Sequence, residues 1–140
     1  MENNLIQRAV IARTGIPTVK RTLDLASLRQ KITAGNIANA QTSGYKRRVV
    51  DFDGELKRLV APERLMGVRT HENHIPVGQH RDAAFQVKVD KEAGLAGTAS
   101  NVDVETEMAD LAQTQIWYQL GTTLARKKFA GLRLAIRGER

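Results

Sequence analysis

What this 140-residue chain lacks excludes several classes of protein. It has no cysteine, which excludes disulfide bridges, thiol nucleophiles and cysteine-ligated metals. Aromatic residues make up only 4% of the chain, so we do not expect a large self-sufficient core. No apolar run reaches the roughly 18 residues of a membrane-spanning helix, and the N-terminus lacks the uninterrupted apolar core of a secretory signal peptide. Any export would therefore proceed without an ordinary cleaved signal.

Basic residues outnumber acidic ones, and the two signs are separated along the chain. The formal net charge is +7. Residues 1–50 carry nine basic and two acidic side chains, residues 92–125 five acidic and no basic ones, and residues 126–140 six basic and one acidic. A basic total is compatible with nucleic acid or an acidic membrane as partner. The separation also favours complementary patches through which copies of the chain dock on one another.

The clearest structural signal is one long helix over residues 103–137. Acidic residues fill its first turns and basic residues its last ones, which suits the helix dipole. A heptad seam runs along it with alternating spacings of four and three. The seam consists of Val104, Met108, Leu111, Gln115, Tyr118, Thr122, Ala125, Phe129, Leu132 and Ile136.

The same helix is also apolar outside its seam. Ile116, Trp117, Leu120 and Leu124 all lie off the seam. A helix that is apolar nearly all round is normally buried on every side. We therefore expect the seam to meet a second helix of the same chain, and the apolar back to meet other chains.

That second helix is predicted from Pro17 to about Ala40, after a break at Gly15. Within it we expect Ala34, Gly35 and Ala38 to form a small-residue surface for close packing. The composition of residues 41–44 then favours a turn.

The segment that follows predicts short elements only. Residues 45–52 favour an extended stretch, and residues 53–60 a short helix. Residues 65–70 and 84–89 are two strand candidates, and the segment around them indicates a loop or a small hairpin without its own core.

These elements predict a mainly α fold in which the two terminal helices pair as a coiled-coil-like hairpin around a small irregular or β insert. The N-terminal helical arm covers residues 1–44, the central insert 45–100 and the long C-terminal helix 101–140. We expect residues 1–44 and 101–140 to form one helical domain.

Two groups of polar residues invite comparison with metal sites. One consists of His71, Glu72, His74, His80 and Asp82, which are zinc-type ligands but fall in a predicted loop without the tight spacing of a zinc site.

The other group, Asp51, Asp53 and Glu55, resembles part of a calcium loop, but its glycine is misplaced and the distal glutamate is missing. We predict no metal and no cofactor. No phosphate-binding glycine loop or paired nucleophile and base occurs either, so we predict no catalytic residue and no enzymatic activity.

A resemblance to a known family gives the function. Residues 35–52 read GNIANAQTSGYKRRVVDF, which resembles the N-terminal signature of the bacterial flagellar rod and hook proteins. The segments THENHIP at 70–76, NVDVETEM at 101–108 and LARKKFAGLRLAIRG at 124–138 are similar to rod members of that family. Ser43 stands where the family usually has proline.

The resemblance implies a structural subunit whose terminal helices pack against those of its neighbours into a helical tube. The implied assembly residues are Asn36, Ile37, Ala38, Asn39, Ala40, Gly44, Tyr45 and Lys46. The implied packing residues of the long helix are Met108, Leu111, Ile116, Trp117, Tyr118, Leu120, Leu124, Phe129, Leu132 and Ile136. Asn36 and Asn39 either hydrogen-bond across the helix pair, cap its end, or face solvent.

The family also implies a location and partners. Its members pass through the flagellar type III export apparatus and assemble in the periplasm, here as the proximal rod of the basal body. The implied partners are further copies, other rod proteins, the adaptor FliE, the membrane-embedded MS ring and the export gate. Two alternatives remain open: a basic nucleic-acid-binding module, and a rod-family member at another axial position.

Overall fold

The computed structural model describes residues 14–61, 71, 84–90 and 100–138. The elements in order are helix α1 (Ile16–Ala38), strand β1 (Arg48–Val50), helix α2 (Phe52–Val60), strand β2 (Val87–Val89) and helix α3 (Val104–Arg137). The fold is mainly helical with a small two-stranded sheet. This confirms the predicted fold class. Residues 1–13 of the arm, the strand candidate 65–70 and the zinc-type candidates other than His71 lie outside the described residues.

Helices α1 and α3 pair antiparallel along their length. The Asn36 amide near the end of α1 bonds the Glu107 carboxylate near the start of α3 at 3.0 Å. Gly15, just before α1, lies beside Lys128 toward the end of α3. The 34-residue α3 is longer than the 23-residue α1, so its last turns extend past the N-terminus of α1.

Both ends of α3 are capped by its own sequence. The Asp103 carboxylate accepts hydrogen bonds from the Glu105 backbone N–H at 3.0 Å and the Thr106 hydroxyl at 2.6 Å. The former contact satisfies one of the free N–H groups of the first turn. At the other end Gly138 adopts a left-handed conformation and its N–H donates to the Leu134 carbonyl.

The face of α3 that meets α1 differs from the predicted seam. Glu107, Thr114 and Gly121 are the buried residues of α3. The seam residues Met108, Phe129 and Ile136 are 57%, 53% and 78% exposed, and Tyr118 is also exposed. Trp117, placed on the back by its sequence position, instead packs against the core. The prediction was wrong in phase because small and paired polar side chains, rather than the apolar ones, line the contact.

Close helix packing also occurs elsewhere than predicted. A Cβ placed on Gly35 would meet nothing within 4 Å, and Ala34 and Ala38 are exposed. A Cβ on Gly121 would lie 2.8 Å from Leu23 Cδ2. Gly121 therefore provides the close approach of the two helices within this chain, because there is no side chain between them at that point.

The sheet pairs the two ends of the central insert. β1 and β2 are antiparallel, with Val49 opposite Lys88. The predicted strand at 84–89 is thus confirmed over Val87–Val89, and it pairs with β1. The prediction missed this pairing because it favoured the nearer strand along the chain.

A small core joins the insert to the helix pair. It contains Leu25 and Ala26 of α1 with Phe52 and Leu59 of α2, and Trp117 of α3 packs against it. The Phe52 and Trp117 rings lie 6.0 Å apart between centroids. Residues packed at its edge are Val50, Leu56 and Phe85. Within the part of the chain that the structure describes, no helix has the length and hydropathy needed to cross a bilayer.

Candidate assembly surface

The signature segment folds into a tight connection around the side chain of Asn36. This residue is 1% exposed and uses all the hydrogen-bonding capacity of its amide. Its Nδ2 donates to the Arg48 carbonyl at 2.8 Å and to Glu107 Oε2 at 3.0 Å. Its Oδ1 accepts from the Arg48 N–H at 3.0 Å and from the Tyr45 hydroxyl at 3.1 Å.

This arrangement makes Asn36 a substitute for a third strand. Both backbone groups of Arg48 bond the amide, as they would bond a neighbouring strand. The same amide reaches Glu107, so one side chain ties α1, β1 and α3 together. The expectation that Asn36 bonds across the helix pair is confirmed.

Asn39 caps the end of its own helix, which is the second role considered for it above. Its Nδ2 donates to the Gly35 carbonyl at 2.8 Å, which satisfies one of the free carbonyls at the end of α1. Gly44 then adopts φ 73°, a left-handed conformation that favours glycine. The turn ends at Tyr45, whose hydroxyl returns to Asn36.

The remaining signature residues do not join this network. Ile37 and Ala40 are half-buried, whereas Ala38 and Lys46 are exposed. Among the described residues they are surface positions beside the turn, and they are available for contacts outside the chain.

An ionic cluster of half-buried side chains around the buried Glu107 underlies the signature. The Glu107 side chain is only 2% exposed and accepts from Arg47 Nε at 2.5 Å. Arg47 also pairs with Asp110 at 3.4 Å and with Asp90 at 3.6 Å. Asp110 in turn accepts from Arg29 at 2.7 Å. The cluster therefore connects α1, the residue before β1, the residue after β2 and α3.

The charges of this cluster shift the pKa of Arg47. Partial burial alone would lower that pKa, but the hydrogen bond and charge of Glu107, followed by the charges of Asp110 and Asp90, raise it above its ordinary value. The arginine stays charged, as a buried carboxylate partner requires. Arg47, at the centre of the basic run 46–48, therefore pairs with acidic residues of the same chain.

Sequence reasoning missed Glu107, which it attributed to helix-dipole charge. A signal was present in the spacing: Glu107, Thr114 and Gly121 recur every seven residues, so they share one face of α3. Heptad patterns are usually sought among apolar residues, and this one is polar and small. This spacing indicates a helix contact lined by small and polar side chains, but it does not identify the partner of Glu107.

The calcium-like triplet has a simpler explanation. Asp51 is the N-cap of α2, and its carboxylate accepts from the Gly54 N–H at 2.9 Å. Asp53 and Glu55 lie in the first turn of α2, where acidic residues suit the helix dipole. Within residues 14–61, 71, 84–90 and 100–138, no cluster of potential metal ligands occurs.

The middle of α3 presents apolar side chains to solvent. Ile116, Leu120 and Leu124 are 67%, 56% and 42% exposed. Residues 111–125 contain no charged side chain, whereas an ordinary protein surface mixes charges of both signs throughout. Contiguous apolar surface with depleted charge is typical of protein interfaces.

Comparison with known proteins places this arrangement in context. Residues 18–46 match a protein family described as flagella basal body rod protein; they span most of α1 and the turn through Tyr45. FlgB, the flagellar basal body rod protein of Borrelia hermsii, is 31% identical over 133 residues, which cover 91% of this chain and 98% of that protein.

Two further relatives are also similar over most of the chain. FlgB of Salmonella typhimurium is 32% identical over 126 residues, covering 85% of this chain and 90% of that one. FlgB of Bacillus subtilis is 30% identical over 123 residues, covering 88% and 93%. The similarity therefore extends well beyond the signature segment.

Proposed function

Because the chain belongs to the FlgB family of flagellar basal body rod proteins, we propose that it leaves the cytoplasm through the flagellar type III export apparatus and assembles in the periplasm into the tube of the proximal rod. It is a structural subunit of the flagellar basal body rod. In this role it binds no cofactor and catalyses no reaction.

The exposed apolar middle of α3 is the observation that carries the proposal. One helix pair leaves Ile116, Leu120 and Leu124 uncovered. Burying the exposed part of each such side chain, about half of it, is worth about 1 kcal/mol, and a polymer of copies provides that cover. The helical parts of residues 1–44 and 101–140 thus act as one tube-forming domain.

Partners follow from the proximal position. The subunit contacts other copies and other rod proteins along the tube. At the base it meets the adaptor FliE, the MS ring and the export gate. A position elsewhere along the rod remains the closest rival, because it requires the same chemistry.

The nucleic-acid alternative is less well supported by the geometry. Arg47 is held by Glu107, Asp110 and Asp90, so it does not offer its charge to a phosphate. A filter-binding assay across salt concentrations separates the two functions, because phosphate contacts produce a steep salt dependence. Tight, steeply salt-dependent binding to DNA or RNA would favour the rival.

The proposal is tested in flagellated cells that carry a tagged chain as their only copy. We expect the chain in purified basal bodies, and we expect it to stay in the cytoplasm when the export gate is inactivated. Cross-linking in intact basal bodies should yield products with FliE or the MS ring. Products with hook-side proteins alone would contradict the proximal position, and absence from basal bodies would contradict the function itself.

A further inference from the structure

Helix α3 carries exposed apolar side chains on two different sides. At about 100° per residue, the row Ile116, Leu120 and Leu124 lies roughly 100° to one side of the strip that faces α1. We call this row flank A. A second row lies roughly 70° to the other side and is called flank B; it consists of Leu111, Tyr118, Phe129 and Ile136.

Both flanks are accessible in the folded chain. Flank A is 42–67% exposed along its length. In flank B, Tyr118, Phe129 and Ile136 are 39%, 53% and 78% exposed, while Leu111 is half-buried. The flanks therefore lie roughly 170° apart around the helix, and one neighbour cannot cover both.

The flanks also differ in chemistry. Flank A is purely aliphatic, whereas flank B contains two aromatic rings, one with a hydroxyl group. A two-fold symmetric contact requires the same patch on both partners, while a contact between two different patches repeats from copy to copy. Two unlike flanks on opposite sides of one helix therefore favour a contact between different patches that repeats from copy to copy.

The charge distribution specifies what kind of surface can cover them. No charged residue lies between Leu111 and Ala125, a segment that holds all of flank A and the Leu111 and Tyr118 part of flank B. An acidic or basic partner would leave its own charges unpaired against this segment. The charged residues Glu105, Arg126 and Arg133 fall on the outward stripe between the flanks. A neutral apolar surface fits this segment, and the chain itself has one on each side of α3.

We propose that flank A of one copy packs against flank B of the next copy, as the lateral contact that repeats around the rod. The occupant of each flank is thus a second copy of this chain. The inference rests on the proposed function, since only a polymer offers copies on both sides. It adds which face of the subunit meets which face of its neighbour.

Disulfide and linker chemistry can test this contact because the chain has no native cysteine. Leu120→Cys is combined in one chain with Tyr118→Cys, Phe129→Cys or Ile136→Cys, since the axial offset of neighbouring copies decides which pair is closest. A short bismaleimide is applied to intact basal bodies. Residues 120 and 129 lie on opposite sides of one helix, so a short linker does not join them within a chain.

The expected result is a ladder of dimers and higher multimers from at least one double variant, and none from any single variant. Gln119→Cys with Phe129→Cys is the matched control, because Gln119 is exposed but lies on the outward stripe. Dimers from Leu120→Cys alone would overturn the proposal in favour of a symmetric contact.

Absence of multimers from all three double variants would also overturn it. The proposed function is scored separately, by motility and by the presence of each cysteine variant in purified basal bodies. Exposed substitutions of this kind usually leave the fold intact. If Leu120→Cys nevertheless reduces incorporation, the set is repeated with Leu124→Cys as the flank A partner.

Discussion

Replacing Asn36 with leucine removes the amide that ties the signature turn to both long helices. Leucine keeps the branching and the number of heavy atoms of the asparagine side chain, so the change leaves no cavity, and it removes four hydrogen bonds. The Arg48 N–H, the Arg48 carbonyl and Glu107 Oε2 each lose a partner, whereas the half-buried Tyr45 hydroxyl can turn to water.

The expected cost follows from those three groups. Each lost partner costs roughly 1 kcal/mol in a partly solvated site, so Asn36→Leu should lower the free energy of unfolding by about 3 kcal/mol. At about 4 °C per kcal/mol this corresponds to about 12 °C in Tm. At neutral pH, urea unfolding followed by circular dichroism measures the free energy, and thermal unfolding followed in the same way measures Tm.

Asn39→Leu is the matched control within the same signature. Its amide makes one bond to the end of its own helix, so its loss should cost no more than about 1 kcal/mol. Equal destabilisation by the two variants would refute the role assigned to Asn36, and so would a loss below about 1 kcal/mol for Asn36→Leu.

Three further perturbations test other parts of the structure. Glu107→Gln should lower the free energy of unfolding by about 2 kcal/mol, less than the roughly 3–5 kcal/mol typical of a broken buried pair, because Arg47 still pairs with Asp110 and Asp90. The exposed control Glu105→Gln should be nearly neutral in the same urea titration. Gly121→Leu should lower the free energy of unfolding by about 1–3 kcal/mol, because the new side chain forces α1 and α3 apart. Gly131 has open space around it, so Gly131→Leu should be neutral or stabilising by up to about 1 kcal/mol. Equal effects at both glycines would argue against the close approach of the helices at Gly121. The hydrogen bonds from the Thr106 hydroxyl and then from the Glu105 N–H lower the pKa of Asp103. The charge of Asp103 therefore stabilises the fold above the unfolded pKa of about 3.9, and this contribution is lost as pH falls through the folded pKa. The difference in free energy of unfolding between wild type and Asp103→Asn should shrink as pH falls below about 4, and a difference independent of pH would contradict that assignment.

Local sequence signals predicted most of the elements. Charge at both ends of α3 and Gly138 after it indicated a helix that the structure bounds at Val104 and Arg137. Pro17 and Gly15 marked the start of α1 in the same way. These signals are local, because caps and helix dipoles act within one turn.

Tertiary features were harder to predict. The heptad spacing indicated a helix contact but gave it the wrong phase, because Thr114 and Gly121 allow close approach without being apolar. Likewise the pairing of β1 with β2 joins segments far apart in the chain, and neither strand reveals its partner. Trp117 was assigned to the back of α3 for the same reason, since its core neighbours belong to other elements.

The candidate site shows the same difference between local features, which the sequence predicted, and long-range contacts, which it did not. The signature segment identified Asn36 and the turn to Tyr45 from the sequence, whereas Glu107 became apparent only when its burial and its bond to Arg47 were known. Buried acids are rare unless paired, and the partner here lies 60 positions away. A sequence pattern of local period carries no information about such a pair.

The central claim, that the exposed middle of α3 joins subunits in the rod, is tested most directly by Leu120→Asp in cells that carry no other copy. The change places a charge in flank A without touching the helix pair, so we expect the protein to be made and exported while rods and motility are lost. Gln119→Asp, one residue away on the outward stripe, should leave both intact. Normal motility and normal basal bodies in the Leu120→Asp strain would contradict the account.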